Sequence, residues 1–172
     1  MPQTKLVATL QALHEGGVDF ILVGGLAGVL NGAPIQTYDV DLVYSRETSN
    51  LSRLLAALTS IDAIFRIQPQ RQLRPAMSHL SASGHLNLLT RYGPLDLLTT
   101  IGQNLGYEEL LTHSVEMGIA EEIRIRVLDL ETLISVKEQL GHEKDLAVLP
   151  ILRQTLRQRR ESRARPDKDT IR

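Results

Sequence analysis

The spacing of hydrophobic and polar positions predicts a chain built from both helices and strands. Four segments have the apolar period of helices with one buried face: residues 4–14, 49–58, 130–140 and 143–160. Two further segments predict short helices: residues 26–31 and 107–111. Six apolar or alternating runs are typical of strands: residues 18–23, 38–44, 85–90, 95–99, 115–119 and 122–128. No segment has the composition of an interdomain linker, so we expect a single domain over residues 1–155.

Glycine and proline residues mark where several of these elements end. Gly24 and Gly25 directly follow the first predicted strand and open the short helix. A Tyr-Gly-Pro sequence separates the strands at 85–90 and 95–99, which favours a hairpin. Residues 68–84 are polar, contain two prolines and show no period, so they predict a long loop.

The composition is that of an ordinary globular protein whose core consists mainly of aliphatic side chains. Of 172 residues, 42% are hydrophobic and 23% are charged, and none is Trp. The chain contains no cysteine, which excludes a disulfide framework, a thiolate nucleophile and a cysteine-based zinc site. No run approaches the roughly 18 apolar residues that a membrane span needs, and the N-terminus has no pattern of a secretion signal. We therefore expect a cytoplasmic protein with no membrane partner.

The C-terminal residues carry an excess of positive charge, although the whole chain has a formal net charge of −1. Residues 153–172 contain eight Lys or Arg and three acidic residues. One interpretation is that this basic tail contacts nucleic-acid phosphates; the other is that a frayed helix end leads into a solvated tail. We favour the second and assign residues 156–172 as a basic, frayed or disordered tail.

The first candidate for chemistry is an Asp-Val-Asp sequence in the second predicted strand. Asp39 and Asp41 are two positions apart, so in a strand both carboxylates lie on one face, about 5–7 Å apart. Like charges at that distance raise each other's pKa, and a divalent cation would compensate them. Because no His or Cys accompanies them, the oxygen ligands suit Mg²⁺ or Mn²⁺. The alternative is that Asp39 caps the strand and Asp41 is exposed at an edge.

Two further features favour metal binding over that alternative. Gly24 and Gly25 open a short helix whose backbone N–H groups can meet a phosphate. Asp96 is a third acid inside an apolar strand. Three acids and a glycine turn are what a two-metal phosphoryl-transfer site needs, because the metals clamp a triphosphate and activate the attacking hydroxyl.

The order of these motifs resembles the nucleotidyltransferase superfamily of the DNA polymerase beta type. The sequence from Gly24 to Leu42, with its Gly-Gly pair and Thr-x-Asp-Val-Asp-Leu, resembles the small bacterial branch that includes AbiEii-like toxins and minimal nucleotidyltransferases. A second pattern resembles the helical segment that this branch places after the sheet: Leu133-Ile134-x-x-Lys137, Lys144-Asp145-Leu146 and Leu149. The resemblance covers residues 18–152.

This resemblance implies an α+β nucleotidyltransferase fold, in which a mixed β-sheet is flanked by helices and followed by a C-terminal helical segment. It also implies transfer of a nucleoside monophosphate from an NTP to a hydroxyl group, with Mg²⁺ or Mn²⁺ as cofactor and release of pyrophosphate. The implied catalytic and metal-binding residues are Asp39, Asp41 and Asp96. The implied nucleotide-binding residues are Gly24, Gly25, Thr37 and Lys137.

The acceptor and the partners stay open at this point. RNA, for example tRNA, a protein or a small molecule could carry the acceptor hydroxyl. A second hypothesis is a catalytically degenerate protein that binds a nucleotide or a partner, such as an antitoxin or helical partner protein in a toxin–antitoxin pair. A third is an RNA-binding module that uses the basic tail. We interpret Asp145, at a predicted helix start, as a structural residue.

Overall fold

The computed structural model describes residues 2–164 of the chain, with side chains from residue 5 onward. The helices of this part are α1 (Pro2–Glu15), α2 (Gly24–Leu30), α3 (Thr48–Ser60), α4 (Met77–Ser81), α5 (Tyr107–Leu111), α6 (Leu130–Leu140) and α7 (Glu143–Ala164). The strands are β1 (Phe20–Val23), β2 (Val40–Tyr44), β3 (Ile64–Phe65), β4 (His85–Thr90), β5 (Gly93–Leu98), β6 (Ser114–Ala120) and β7 (Ile123–Leu128). A single 3-10 turn within these residues covers Pro69–Arg71.

The seven strands form one sheet in the order β3-β4-β5-β2-β1-β7-β6. Strands β2 and β5 are parallel, as are β1 and β7, and the other neighbouring pairs are antiparallel. Leu22, Leu42 and Leu97 of the central strands are fully buried, so aliphatic side chains dominate the core as the composition predicts. The mixed sheet, the flanking helices and the C-terminal pair α6 and α7 confirm the predicted fold class.

The two faces of the sheet are covered to different extents. On the face that carries Leu42, Tyr44 donates its hydroxyl to the Leu80 carbonyl of α4, and α4, α3 and α1 pack against one another in turn. The opposite face carries Asp41 and is covered by α2, which contacts β1 and β2. Asn87 of β4 is exposed on that face. The sheet is therefore open to solvent over β4 and β5, beside Asp41.

Part of the predicted loop over residues 68–84 is helical, so the prediction of a continuous loop is wrong. Helix α4 lies within it and buries Leu80 completely. The His79 ring accepts a hydrogen bond from the Ala76 N–H at 3.0 Å and so caps the first turn. Tertiary burial and this local cap stabilise a helix that is too short to show an apolar period in the sequence.

Helix α7 extends past residue 155 and is fixed to α2. Arg159 Nη1 donates to Asn31 Oδ1 at 2.5 Å, and Asn31 is buried at the end of α2. The part of the predicted tail up to Ala164 is therefore helical, and the rest of that prediction falls on residues 165–172, outside the described residues. None of the helices within residues 2–164 combines the length and the hydrophobicity needed to cross a bilayer.

Candidate active site

The candidate site lies where the parallel strands β2 and β5 meet. Asp41 and Asp96 are direct partners in that pairing, so their side chains leave the same face of the sheet side by side. Asp39 lies one residue before β2, because the strand begins at Val40, two residues later than predicted. Each of the three carboxylates still offers one oxygen, and these oxygens lie within 4.8 Å of one another. The fold therefore brings together the three acids that the sequence singles out.

Gly24 makes room for the carboxylate of Asp41. A Cβ on Gly24 would lie 2.8 Å from Asp41 Cγ and would overlap its carboxylate oxygen. Gly24 also has a φ of +67°, which other residues adopt only with strain. A side chain at this position would push Asp41 away from the other two acids. The first glycine of the pair is thus a geometric requirement of the carboxylate cluster.

Gly25 makes room for Thr37, which in turn holds Asp39. A Cβ on Gly25 would lie 2.9 Å from Thr37 Oγ1. That hydroxyl donates to Asp39 Oδ1 at 3.0 Å, so the side chain of Asp39 is oriented although its backbone precedes the strand. Each glycine of the pair therefore supports one acid of the Asp-Val-Asp sequence. The fold places Gly24, Gly25 and Thr37 beside the acids, and their role in binding a nucleotide stays a prediction.

The acids leave the site short of positive charge. Burial raises the pKa of Asp41 from 3.8 to about 7, and the carboxylates of Asp39 and Asp96 add to this rise. Lys137 and Lys144 lower the pKa of Asp41, but by less than the opposing effects. Ionisation of Asp41 is therefore unfavourable beside the other two acids, and added positive charge at the site would favour it.

Lys137 approaches the acids from α6 and forms a buried ion pair. Its Nζ donates to Asp145 Oδ1 at 2.6 Å, and the two side chains are only 13% and 7% exposed. His142 Nδ1 lies 3.4 Å from the other oxygen of Asp145. Asp145 therefore holds Lys137 in place, close enough to Asp41 to affect its pKa. The role of Lys137 at a phosphate stays a prediction.

Arg66 contacts the third acid directly, and sequence reasoning did not find it. Its Nη2 donates to Asp96 Oδ1 at 2.7 Å and to Asp96 Oδ2 at 3.0 Å. Arg66 follows β3, a strand of two residues, and precedes Asp96 by 30 positions. No local pattern connects the two residues, so only the strand order β3-β4-β5 reveals the contact.

Comparison with solved structures identifies the fold. No family model matches the sequence, and a search of curated proteins found no match. A presumed nucleotidyltransferase from Thermotoga maritima, TM1012, aligns with a TM-score of 0.53 over 89% of this chain and 91% of its own, at 15% identity. The lincosamide antibiotic adenylyltransferase LnuA, solved with lincomycin bound, aligns with a TM-score of 0.59 over 88% and 96%, at 15% identity. The chain has the nucleotidyltransferase fold.

Within this nucleotidyltransferase fold, the carboxylate cluster lies between two groups of residues. On one side are α2 with its glycine pair and α6 with Lys137, and on the other is the open face over β4 and β5. At 15% identity the two matches establish the arrangement of strands and helices. The chemistry has to be argued from the residues of this chain.

Proposed function

We propose that this protein transfers a nucleoside monophosphate from an NTP to a hydroxyl group and releases pyrophosphate. The observation that carries the proposal is the meeting of the Asp39, Asp41 and Asp96 carboxylates within 4.8 Å. The nucleotidyltransferase fold supports it. In the reaction a bond forms between the acceptor oxygen and the α-phosphorus of the NTP. The bond from that phosphorus to the bridging oxygen breaks, pyrophosphate leaves with the electron pair, and the hydroxyl proton leaves to a base.

The donor set of the site fits divalent magnesium or manganese. Carboxylate oxygens without His or Cys are the ligands that Mg²⁺ and Mn²⁺ prefer. The raised pKa of Asp41 fits as well, because a bound cation would supply the positive charge that the cluster lacks. Asp39, Asp41 and Asp96 would hold such ions, whose chemistry is to neutralise the triphosphate and to lower the pKa of the attacking hydroxyl.

The other residues of the site would bind and orient the nucleotide. The glycine backbone at the amino end of α2 lies directly against the Asp41 carboxylate and the Thr37 hydroxyl, so a triphosphate bound at this end of α2 would lie beside the acids. Thr37 orients Asp39 through its hydroxyl, and Lys137 adds a fixed positive charge from α6. Asp96, which borders the open face over β5, would accept the proton of the acceptor hydroxyl.

The open face over β4 and β5 is where we place the acceptor. The exposed Asn87 and the partly buried Asp96 are direct neighbours there, so an acceptor would approach the third acid beside the Arg66 side chain that contacts it. RNA such as tRNA, a protein or a small molecule could present the hydroxyl. We further propose that the chain belongs to the branch of AbiEii-like toxins and minimal nucleotidyltransferases and works in the cytoplasm, where an antitoxin or a helical partner protein could bind it.

Label transfer from the α-phosphate tests this proposal. Each of the four α-labelled NTPs is incubated with Mg²⁺ or Mn²⁺ and with cell RNA, cell protein and small-molecule extract as acceptors. The comparison is between wild type, the Asp39→Ala/Asp41→Ala double variant and Glu116→Gln, a control carboxylate exposed on β6. We expect metal-dependent label with wild type and the control, and none with the double variant.

The other outcomes of this experiment are equally informative. Label that the double variant transfers as well as wild type does would contradict the proposed site. If wild type binds an NTP with metal but labels no acceptor, the catalytically degenerate nucleotide- or partner-binding protein becomes the better account. If it binds no NTP at all, the transferase account and the nucleotide-binding account both fail, and only the partner-binding protein is left.

A further inference from the structure

Arg66 forms the closest ion pair of the carboxylate cluster. Among the residues that the structure describes, it is the one cation within 4.0 Å of any of the three acids. Its Nη2 bridges both oxygens of Asp96, at 2.7 and 3.0 Å. The side chains are 35% and 18% exposed, so the pair is partly shielded from water and more than a surface contact.

The backbone explains why Arg66 can reach Asp96 from two strands away. The Arg66 N–H donates to the Asn87 carbonyl at 2.9 Å, which continues the β3–β4 pairing by one position. Asn87 is in turn the direct partner of Asp96 in the β4–β5 pairing. The three residues therefore lie in one row across the sheet and share a face. Two strand spacings of about 4.8 Å separate the ends of this row, which an extended arginine can span.

The same carboxylate therefore takes part in two arrangements, the three-acid cluster and the ion pair with Arg66. Asp96 offers an oxygen to the cluster that it forms with Asp39 and Asp41, and both of its oxygens accept from Arg66. Neither Asp39 nor Asp41 forms an ion pair within 4.0 Å in residues 2–164, so the guanidinium neutralises the third acid selectively. A divalent ion that binds Asp96 would meet the positive charge of Arg66 at short range.

We propose that Arg66 is a positioning residue that holds Asp96 as a resident counter-ion and competes with the divalent ion for its carboxylate. This inference rests on the proposed function. Arg66 lowers the affinity of the nucleotide-free site for a divalent ion. The negative charge of a bound triphosphate raises that affinity again, so the metal binds together with the NTP. Removing the charge of Arg66 should therefore tighten metal binding to the nucleotide-free protein.

Binding of Mn²⁺ to the full chain tests this competition without any activity measurement. Free Mn²⁺ is measured by electron paramagnetic resonance, with and without a nonhydrolysable NTP analogue. The neutral variants are Arg66→Gln and Arg66→Met, and Arg66→Lys keeps the charge. Arg91→Gln is the matched control, because Arg91 pairs with the exposed Asp62 away from the cluster. Circular dichroism establishes that each variant is folded.

The expected result is a clear change in affinity for the two neutral variants only. Without nucleotide, each should bind Mn²⁺ about tenfold more tightly than wild type, close to the effect in water of a unit charge about 5 Å from a divalent ion. Arg66→Lys and Arg91→Gln should stay within about twofold of wild type, and the analogue should reduce the difference for the neutral variants. Unchanged or weaker Mn²⁺ binding by either folded neutral variant would overturn the competition.

The failure of this inference can be told apart from the failure of the proposed function. Suppose that wild type and the neutral variants all bind Mn²⁺ together with the analogue, and that without nucleotide the neutral variants have the Mn²⁺ affinity of wild type. The counter-ion role of Arg66 is then wrong, and the proposed function stands. If wild type binds no Mn²⁺ even with the analogue, the metal-dependent function is wrong, and the competition falls with it.

Discussion

Replacing Asp41 by asparagine should stabilise the metal-free protein at neutral and alkaline pH, although it should abolish transfer. Burial and the neighbouring carboxylates raise the pKa of Asp41 from 3.8 to about 7, whereas the unfolded chain keeps the ordinary value. As the pH rises from about 4 to about 7, the unfolded state loses its proton before the folded state does. The free energy of unfolding therefore falls over this range. Above about pH 7 the folded protein carries the full destabilisation that ionised Asp41 causes.

The size of this cost follows from the change in pKa. Each tenfold change in ionisation is worth about 1.4 kcal/mol, so the ceiling is on the order of 4 kcal/mol. Asp41 retains some contact with water, and we expect the asparagine variant to gain about 1–3 kcal/mol at about pH 8 without metal. For a chain of 172 residues this is a rise in Tm of about 3–9 °C. At about pH 5 the folded wild type is protonated at Asp41, so the gain should be smaller.

Thermal unfolding in the presence of EDTA, at acidic and alkaline pH, measures this effect. The matched control is Asp62→Asn, because Arg91 and Arg74 lower the pKa of the exposed Asp62 and its loss should not stabilise. Adding Mg²⁺ and NTP should raise the Tm of wild type by mass action and leave Asp41→Asn unchanged. An Asp41→Asn variant that melts at or below the temperature of wild type at alkaline pH without metal, or whose gain is independent of pH, would contradict an electrostatic cost at Asp41.

Two further substitutions test how the site is held together. Gly24→Ala should lower kcat/KM for label transfer at least about 100-fold, because its methyl group displaces the Asp41 carboxylate. The control Gly118→Ala meets open space on β6 and should retain activity. A fully active Gly24→Ala variant would disprove the steric argument. Lys137→Met should destabilise the fold by about 3 kcal/mol, because it leaves the buried carboxylate of Asp145 without its partner. Urea unfolding measures this loss, and a change below about 0.5 kcal/mol would mean that the pair is well solvated.

The sequence supports prediction of the fold and of the three acids for different reasons. Helical and strand periods predict most of the elements because each buries one face against the same core. Asp39, Asp41 and Asp96 attract attention as charged residues among apolar ones, which is a local signal. Asp41 and Asp96 are partners in adjacent parallel strands, and this pairing depends on the strand register. Periodicity does not predict the register, so the grouping of the three acids is predicted from the resemblance to nucleotidyltransferases.

The features that the sequence does not predict depend on tertiary contacts. Strand β3 has two residues, which are too few to show an alternation of apolar and polar positions. The sequence therefore does not predict that Arg66 lies in line with Asn87 and Asp96 across the sheet. The role of Gly25 as the space for the Thr37 hydroxyl requires the close approach of two segments. The pairing of Lys137 with Asp145 links two helices across Gly141, and only their packing angle decides it.

An NTP labelled at both ends distinguishes nucleotidyl transfer from other cleavage of the triphosphate. With one label on the α-phosphate and another on the γ-phosphate, wild type and metal should place the α label in the acceptor and an equal amount of the γ label in pyrophosphate. The Asp39→Ala/Asp41→Ala variant should do neither. Transfer of the γ label to the acceptor, or release of the α label as free nucleoside monophosphate with no acceptor labelled, would contradict nucleotidyl transfer at this site.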